Sequence, residues 1–223
     1  MRPTRTPCFP RLLLLAPLLA ACQKSVSTPF PDGLEPLEDC SAGMPDSGDG
    51  DYPQTALVAS GETDDWMYAH VCGYVQSDVD AAWQAIQDPD VVTDRRRITD
   101  YQVTDQDFEP EYEVSYRIHH LVEDILTVEY DIDWRQGVWE EDDDGVQSVA
   151  ARFQKTEGSS LIELIEGSLV LATVDEQVVS FELVVHHKSL GYQLDELELK
   201  ATDLYDSVAA VATGQPLPTY DDE

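Results

Sequence analysis

The sequence predicts an α+β fold in which a seven-stranded antiparallel sheet carries a short early helix and ends in a long C-terminal one. Three observations carry this expectation. Seven runs between residues 66 and 187 alternate apolar and polar side chains with a period of two. The connections between them are short and rich in Asp, Glu, Pro or Gly, as a meander of antiparallel hairpins requires. Finally, Leu197, Ala201, Leu204, Val208 and Val211 recur at intervals of four, three, four and three residues, which marks one face of an amphipathic helix from about 192 to 212.

The chain opens differently. Arg2, Arg5 and Arg11 precede an apolar run from Leu12 to Leu19, and Ala20-Ala21 place small residues before Cys22. This order resembles a bacterial lipobox. The run is well short of the ~20 residues needed to span a bilayer. The resemblance implies that residues 1–21 are a signal peptide, that Cys22 is acylated, and that the chain is held to a membrane of the cell envelope through those acyl chains. Gln23 after the cysteine, where an Asp would retain the protein at the inner membrane, is compatible with outer-membrane sorting.

Residues 22–62 are rich in Pro, Gly, Ser and Asp without a sustained apolar period, and they read as a flexible acidic tether. Asp46, Asp49 and Asp51 lie among glycines, but their spacing lacks the closing Glu of a calcium loop. The domain proper is expected over 63–213. Its first strand covers 66–76, and Ser77-Asp78-Val79-Asp80 then offers a helix start that Asp88-Pro89 stops. A further turn is expected at 90–92. Strands follow at 95–104, 111–120, 124–135, 146–155, 161–173 and 177–187. Glu140 to Asp144 read as the solvated tip of a hairpin. Residues 214–223 form an acidic, mobile tail.

The full chain has 13 basic and 45 acidic residues, a formal charge of −32. Without residues 1–21 and their three arginines the charge is −35. Nucleic acid is thereby excluded as an expected partner, because a phosphate backbone requires a basic face. Arg95-Arg96-Arg97 concentrates positive charge and suits either an acidic surface partner or an anionic head group. Of the four cysteines, Cys8 leaves with the signal and Cys22 takes lipid, so Cys40 and Cys72 are left either to bridge in an oxidising compartment or to remain free thiols.

The order of strand, short helices, six strands and long helix resembles the helix-grip domain of the START-like superfamily, also called SRPBCC, which includes lipid-transfer and polyketide-cyclase members. The run Tyr74-Val75-Gln76-Ser77-Asp78-Val79-Asp80-Ala81-Ala82-Trp83-Gln84-Ala85-Ile86-Gln87-Asp88-Pro89 is similar to that family's first-strand-to-helix segment. The resemblance spans about residues 66–212. It implies a curved sheet wrapped around the long helix, with an apolar cavity between them. The inward strand faces would then present Tyr116, His120, Tyr130, Trp134, Phe153, Phe181 and His187 to a hydrophobic small molecule or lipid, aromatic bodies packing it and polar tips orienting it.

No cofactor is expected, and no metal. His119-His120 and His186-His187 each split across the two faces of a strand, so each pair offers one imidazole per side. No nucleophile elbow, phosphate loop or metalloprotease helix occurs. Catalysis by a cyclase- or hydrolase-type mechanism in the same cavity is the alternative to plain binding, with no catalytic residue assignable. A structural lipoprotein whose interior is filled by its own side chains is the third reading. Oligomeric state is left open.

Overall fold

A computed structural model describes residues 24–143 and 145–220. Cys22 and the signal segment 1–21 therefore lie outside the described residues, as do Asp144 and the last three residues. The chain forms β1 (Ala56–Glu62), β2 (Met67–Val75), α1 (Val79–Ile86), α2 (Pro89–Val92), β3 (Asp100–Gln106), β4 (Val114–Glu123), β5 (Thr127–Asp142), β6 (Gly145–Gly158), β7 (Ile162–Asp175), β8 (Val178–Ser189) and α3 (Leu194–Ala212). All strands pair antiparallel in one sheet of order β1-β2-β8-β7-β6-β5-β4-β3. With the C-terminal helix lying against it, this is the helix-grip architecture.

The local chemistry sets each boundary. Asp78 caps α1 by accepting the Ala81 N–H at 2.7 Å, and Asp88 accepts the Asp90 N–H with Pro89 in the first turn of α2. A reciprocal capping box between Gln193 and Glu196 starts α3. The helix buries Leu197, Ala201, Tyr205 and Val208 on the sheet, and the Tyr205 hydroxyl donates to the Tyr74 carbonyl at 2.7 Å. On the other side of the grip, the indole N–H of Trp83 donates to Gln136 Oε1 at 3.1 Å. Gln136 Nε2 and the Tyr116 hydroxyl both donate to the Ile86 carbonyl, at 3.0 and 3.1 Å. These bonds satisfy polar groups that the core would otherwise strand.

Two expectations need correction. The sheet has eight strands, because Ala56–Glu62 adds to the edge as β1 in register with β2. The preceding segment is no free tether either: from residue 24 it runs over the outer face of the sheet. Ser25 bridges Ser159, and the backbone N–H groups of Val26 and Thr28 donate to Gly158 and Thr156. Arg135, Arg152 and Gln154 point outward from the sheet and donate to the carbonyls of Pro31, Glu35 and Pro29 at 2.6, 2.8 and 2.6 Å. Phe30 lies under the Arg135 guanidinium at 3.9 Å. A Pro-rich strand of low hydropathy is thus held by donors on the sheet rather than by its own apolar pattern.

The C-terminal tail is also docked over its described part. Tyr220 stacks on Arg96 at 4.1 Å, and Arg95 donates to the Pro218 carbonyl at 2.6 Å. Arg96 pairs with Asp203 and Arg97 with Glu196, so this arginine run is taken up within the protein.

Cys40 and Cys72 are joined, with Cα atoms 6.3 Å apart and a sequence separation of 32. The link pins the outer segment to β2. Such a crosslink restricts the unfolded chain by ~3–4 kcal/mol in the loop-entropy model. Denaturing alkylation of oxidised protein should leave both cysteines unmodified in the intact mass, and Cys40→Ser should lower stability by ~2–4 kcal/mol in denaturant melts. Two alkylated thiols in the oxidised protein would contradict the bridge.

Candidate ligand cavity and an outer-face histidine cluster

The inner faces of the strands divide the space under α3 in two. Trp134 on β5 stacks on Phe153 of β6 with ring centroids 4.4 Å apart, and Tyr116 stacks on Trp134 at 6.1 Å. Phe153 lies across Gly167 of β7, its cross-strand partner, where any Cβ would collide with the ring. The space left beside Trp134 and Phe153, under Ala201, Leu204 and Tyr220, is only about 30 Å³. One water would fill it.

The larger cavity, about 360 Å³, lies at the end of the grip where α3 begins. Ile98, Val122, Val128, Ile162 and Ile165 supply apolar wall, and Tyr130, His187, Tyr192 and Lys200 bring polar tips. Its rim carries Ile125 and Leu190, which are 94% and 79% exposed. Residues expected to line one pocket are therefore distributed. Tyr130 and His187 line the large cavity, and Trp134 and Phe153 line the narrow cleft. Tyr116 and Phe181 are packed core, Phe181 edge-on to Tyr205 at 5.3 Å. His120 stands behind Tyr130, stacked on it at 5.0 Å.

Both inward imidazoles are kept neutral. Burial first, then the positive charge of Lys200, depresses His120 and His187 to about 3. His187 stacks on Tyr192 at 3.9 Å and its Nε2 lies 2.7 Å from Ser189 Oγ, while Nδ1 of each imidazole is buried without a hydrogen bond. The Tyr130 and Tyr192 phenols are pushed up by burial, so both remain protonated. Burial also lowers the Lys200 amine. Lys200 escaped the sequence reading, although it stands three residues after Leu197 and four before Leu204. That spacing puts one lysine inside an apolar stripe, which is the signal that could have found it.

A second constellation lies on the outer face, where His119 and His186 point as their alternation requires. Glu38 Oε1 is 2.9 Å from His186 Nε2 and 3.1 Å from His70 Nε2, and these three groups have the spacing of a metal site. The hydrogen bonds oppose that use. His70 Nδ1 accepts the Ser41 backbone N–H at 3.0 Å, so the ring proton sits on Nε2 and faces Glu38. His186 has a carboxylate at each nitrogen, Glu166 being 3.0 Å from Nδ1. Protons, rather than a cation, therefore join the carboxylates to the rings, and the chain of bonds clips Glu38 of the outer segment onto β2 and β8.

No protein-family model and no curated protein matches the sequence. Among solved structures, the chain is similar to a Thermus thermophilus protein at TM-score 0.48 and 10% identity, covering 66% of this chain and 97% of that one. The human StarD13 lipid transfer and protein localization domain gives 0.46 and 7%, with 73% and 90% covered. A START superfamily protein from Mycobacterium smegmatis gives 0.42 and 9%, with 66% and 94% covered. At these values the likeness carries no argument about the site, which rests on this chain's own residues.

The outer cluster sets a pH dependence. Burial works against the His186 charge, but its hydrogen bonds to Glu166 and Glu38 outweigh it and raise the pKa above the ordinary 6.5. That contribution is complete below 6.5 and is lost as pH climbs through the raised value. The bond to His186 lowers Glu38 below 4.5, a contribution lost on acidification through the lowered value. His70, lowered by burial, likewise disfavours acid. The melting temperature of the wild type should therefore exceed that of His186→Gln by the widest margin near pH ~6, narrowing toward pH ~9. A margin that widens on alkalinisation would refute this assignment.

Proposed function

We propose that the protein binds a hydrophobic small molecule or lipid in the cavity beneath the start of α3, and that it is tethered to the bacterial cell envelope through acyl chains on Cys22. The observation that carries the first half is the 360 Å³ cavity itself, with continuous apolar wall from β4, β5 and β7 and polar tips gathered on one side. Its volume falls within the range of small-molecule pockets. Burial there is worth ~25 cal/mol per Å² of apolar ligand surface. The exposed Ile125 and Leu190 at the rim give an apolar ligand a path that avoids the acidic surface.

Binding is favoured over a cyclase- or hydrolase-type reaction by the state of the two inner histidines. General acid–base work needs a pKa near the working pH, and His120 and His187 lie far below it. The tethering half rests on Leu19-Ala20-Ala21-Cys22 and on energetics, since one acyl chain holds marginally while two or more hold stably.

Native mass spectrometry of protein purified from its own envelope, followed by organic extraction, should reveal a co-purifying apolar compound. Val128→Trp, which fills the cavity from β5, should weaken binding of that compound by ~10-fold or more while the thermal transition stays cooperative. Unchanged affinity in a folded Val128→Trp protein would place the ligand elsewhere. Cys22→Ser should leave an unprocessed precursor that takes up no acyl label, and normal labelling would rule that anchor out.

A further inference from the structure

Lys200 is the one amine that opens on the cavity. The side chain leaves the inner stripe of α3 and meets Tyr130, His187 and Tyr192, and it makes no hydrogen bond or ion pair among the described residues. Of the charged groups that act on it, Asp94 favours the Lys200 charge through space without a hydrogen bond or ion pair to it, and Arg97 opposes that charge. Asp94 accepts the Arg96 backbone N–H at 3.2 Å, and Arg97 pairs with Glu196 while lying 4.7 Å over the Tyr192 ring. Asp124 lies at the outer rim.

The hydroxyl of Tyr130 also has no hydrogen-bond partner among the described residues, and that of Tyr192 has only a 3.5 Å contact with the Glu196 carbonyl. At the cavity, then, the Lys200 amine and the Tyr130 hydroxyl are donors that no acceptor among the described residues engages. An amine set in an apolar wall without a hydrogen bond or ion pair of its own is costly to keep charged, Asp94 acting on it only through space, and a ligand anion beside it supplies the missing partner. One unpaired positive group calls for one negative charge.

We propose that the ligand is a monocarboxylic amphiphile, its carboxylate set against the Lys200 amine and the Tyr130 hydroxyl and its hydrocarbon along Val122, Val128, Ile162 and Ile165. This rests on the cavity being the ligand site, as argued above, and assigns the ligand's head group. Lys200 recognises the acid through a charge-assisted hydrogen bond, the kind that is strongest where water is excluded. Neutral ligands of equal length keep the hydrocarbon contacts and lose that bond. Cationic ones meet a like charge.

Calorimetric titration of the delipidated chain with decanoate, decan-1-ol and decylamine tests the assignment. Decanoate should bind about tenfold or more tightly than decanol, with decylamine weakest. In Lys200→Met the decanoate advantage should vanish while decanol still binds, and Lys200→Gln should repeat the result in case the thioether repacks the site. Decanol binding as well as decanoate to the wild type, or a preference for decanoate that survives in both variants, would overturn the carboxylate assignment and leave the apolar cavity standing. If none of the three binds the wild type, the cavity reading itself falls with it.

Discussion

The stack of Trp134 on Phe153, laid over the bare backbone of Gly167, decides what the rest of the interior can be. A sheet wrapped on a helix encloses space in proportion to its curvature, and side chains on the concave face determine how much stays open. Here two large rings lie flat under the middle of α3 and reduce the central cleft to the size of a water molecule. Adjacent strands are thereby locked in register, and an aromatic pair of this kind adds ~0.5–1.5 kcal/mol beyond the area it buries. The open volume is displaced to one end, where Val122, Val128, Ile162 and Ile165 on β4, β5 and β7 leave space beside the rings of Tyr130 and His187. Cavity position thus follows from the placement of bulk along the strands.

Much of this was legible in the sequence, and the failures have identifiable causes. Period-two alternation located β2 to β8, most ends within a few residues, although β5 runs on to Asp142 through part of the acidic stretch read as a hairpin tip. β1 was invisible: Ala56-Leu57-Val58-Ala59-Ser60-Gly61-Glu62 carries few β-branched or aromatic residues and follows an acidic, Gly-containing stretch. It forms a strand because the β2 edge offers it a ladder. The docking of residues 24–55 was readable only at Cys40 and Cys72, since its other anchors include backbone carbonyls whose donors, Arg135, Arg152 and Gln154, occupy outward positions that normally meet water. In the site, alternation placed Tyr130 and His187 on the concave face. It could not say which end of that face remains hollow, and so Tyr116 and Phe181 were grouped with them. Lys200 was hidden by the habit of counting only apolar residues along α3.

Charge is partitioned in the same way as volume. A chain with more than three acidic residues for each basic one has few cations to place, and the arginines are largely committed to internal partners. Arg117 forks onto Asp133 at 2.6 and 2.8 Å, Arg135 onto Glu109, and Arg96 onto Asp203. These pairs hold the outer segment, the tail and neighbouring strands, while the remaining carboxylates face solvent. Two lysines are exceptions: Lys155, whose buried Nζ makes no hydrogen bond, and Lys200, a cation kept at the edge of an apolar space.

The bridge between Ser25 and Ser159 carries a consequence for leash length. Ser159 sits at the β6–β7 turn, two residues before Leu161 of the cavity rim, and Cys22 stands only three residues ahead of Ser25. Three residues of fully stretched chain reach ~10 Å. An anchor at Cys22, as proposed above, would therefore hold the chain near the β6–β7 turn. A forty-residue leash would have let the domain tumble and sample every orientation. With residues 24 onward docked on the sheet, the proposed anchor would leave the domain little freedom to turn. Under the two proposals made above, loading or release would be governed by the orientation of the rim toward the surface rather than by diffusion through the surrounding water.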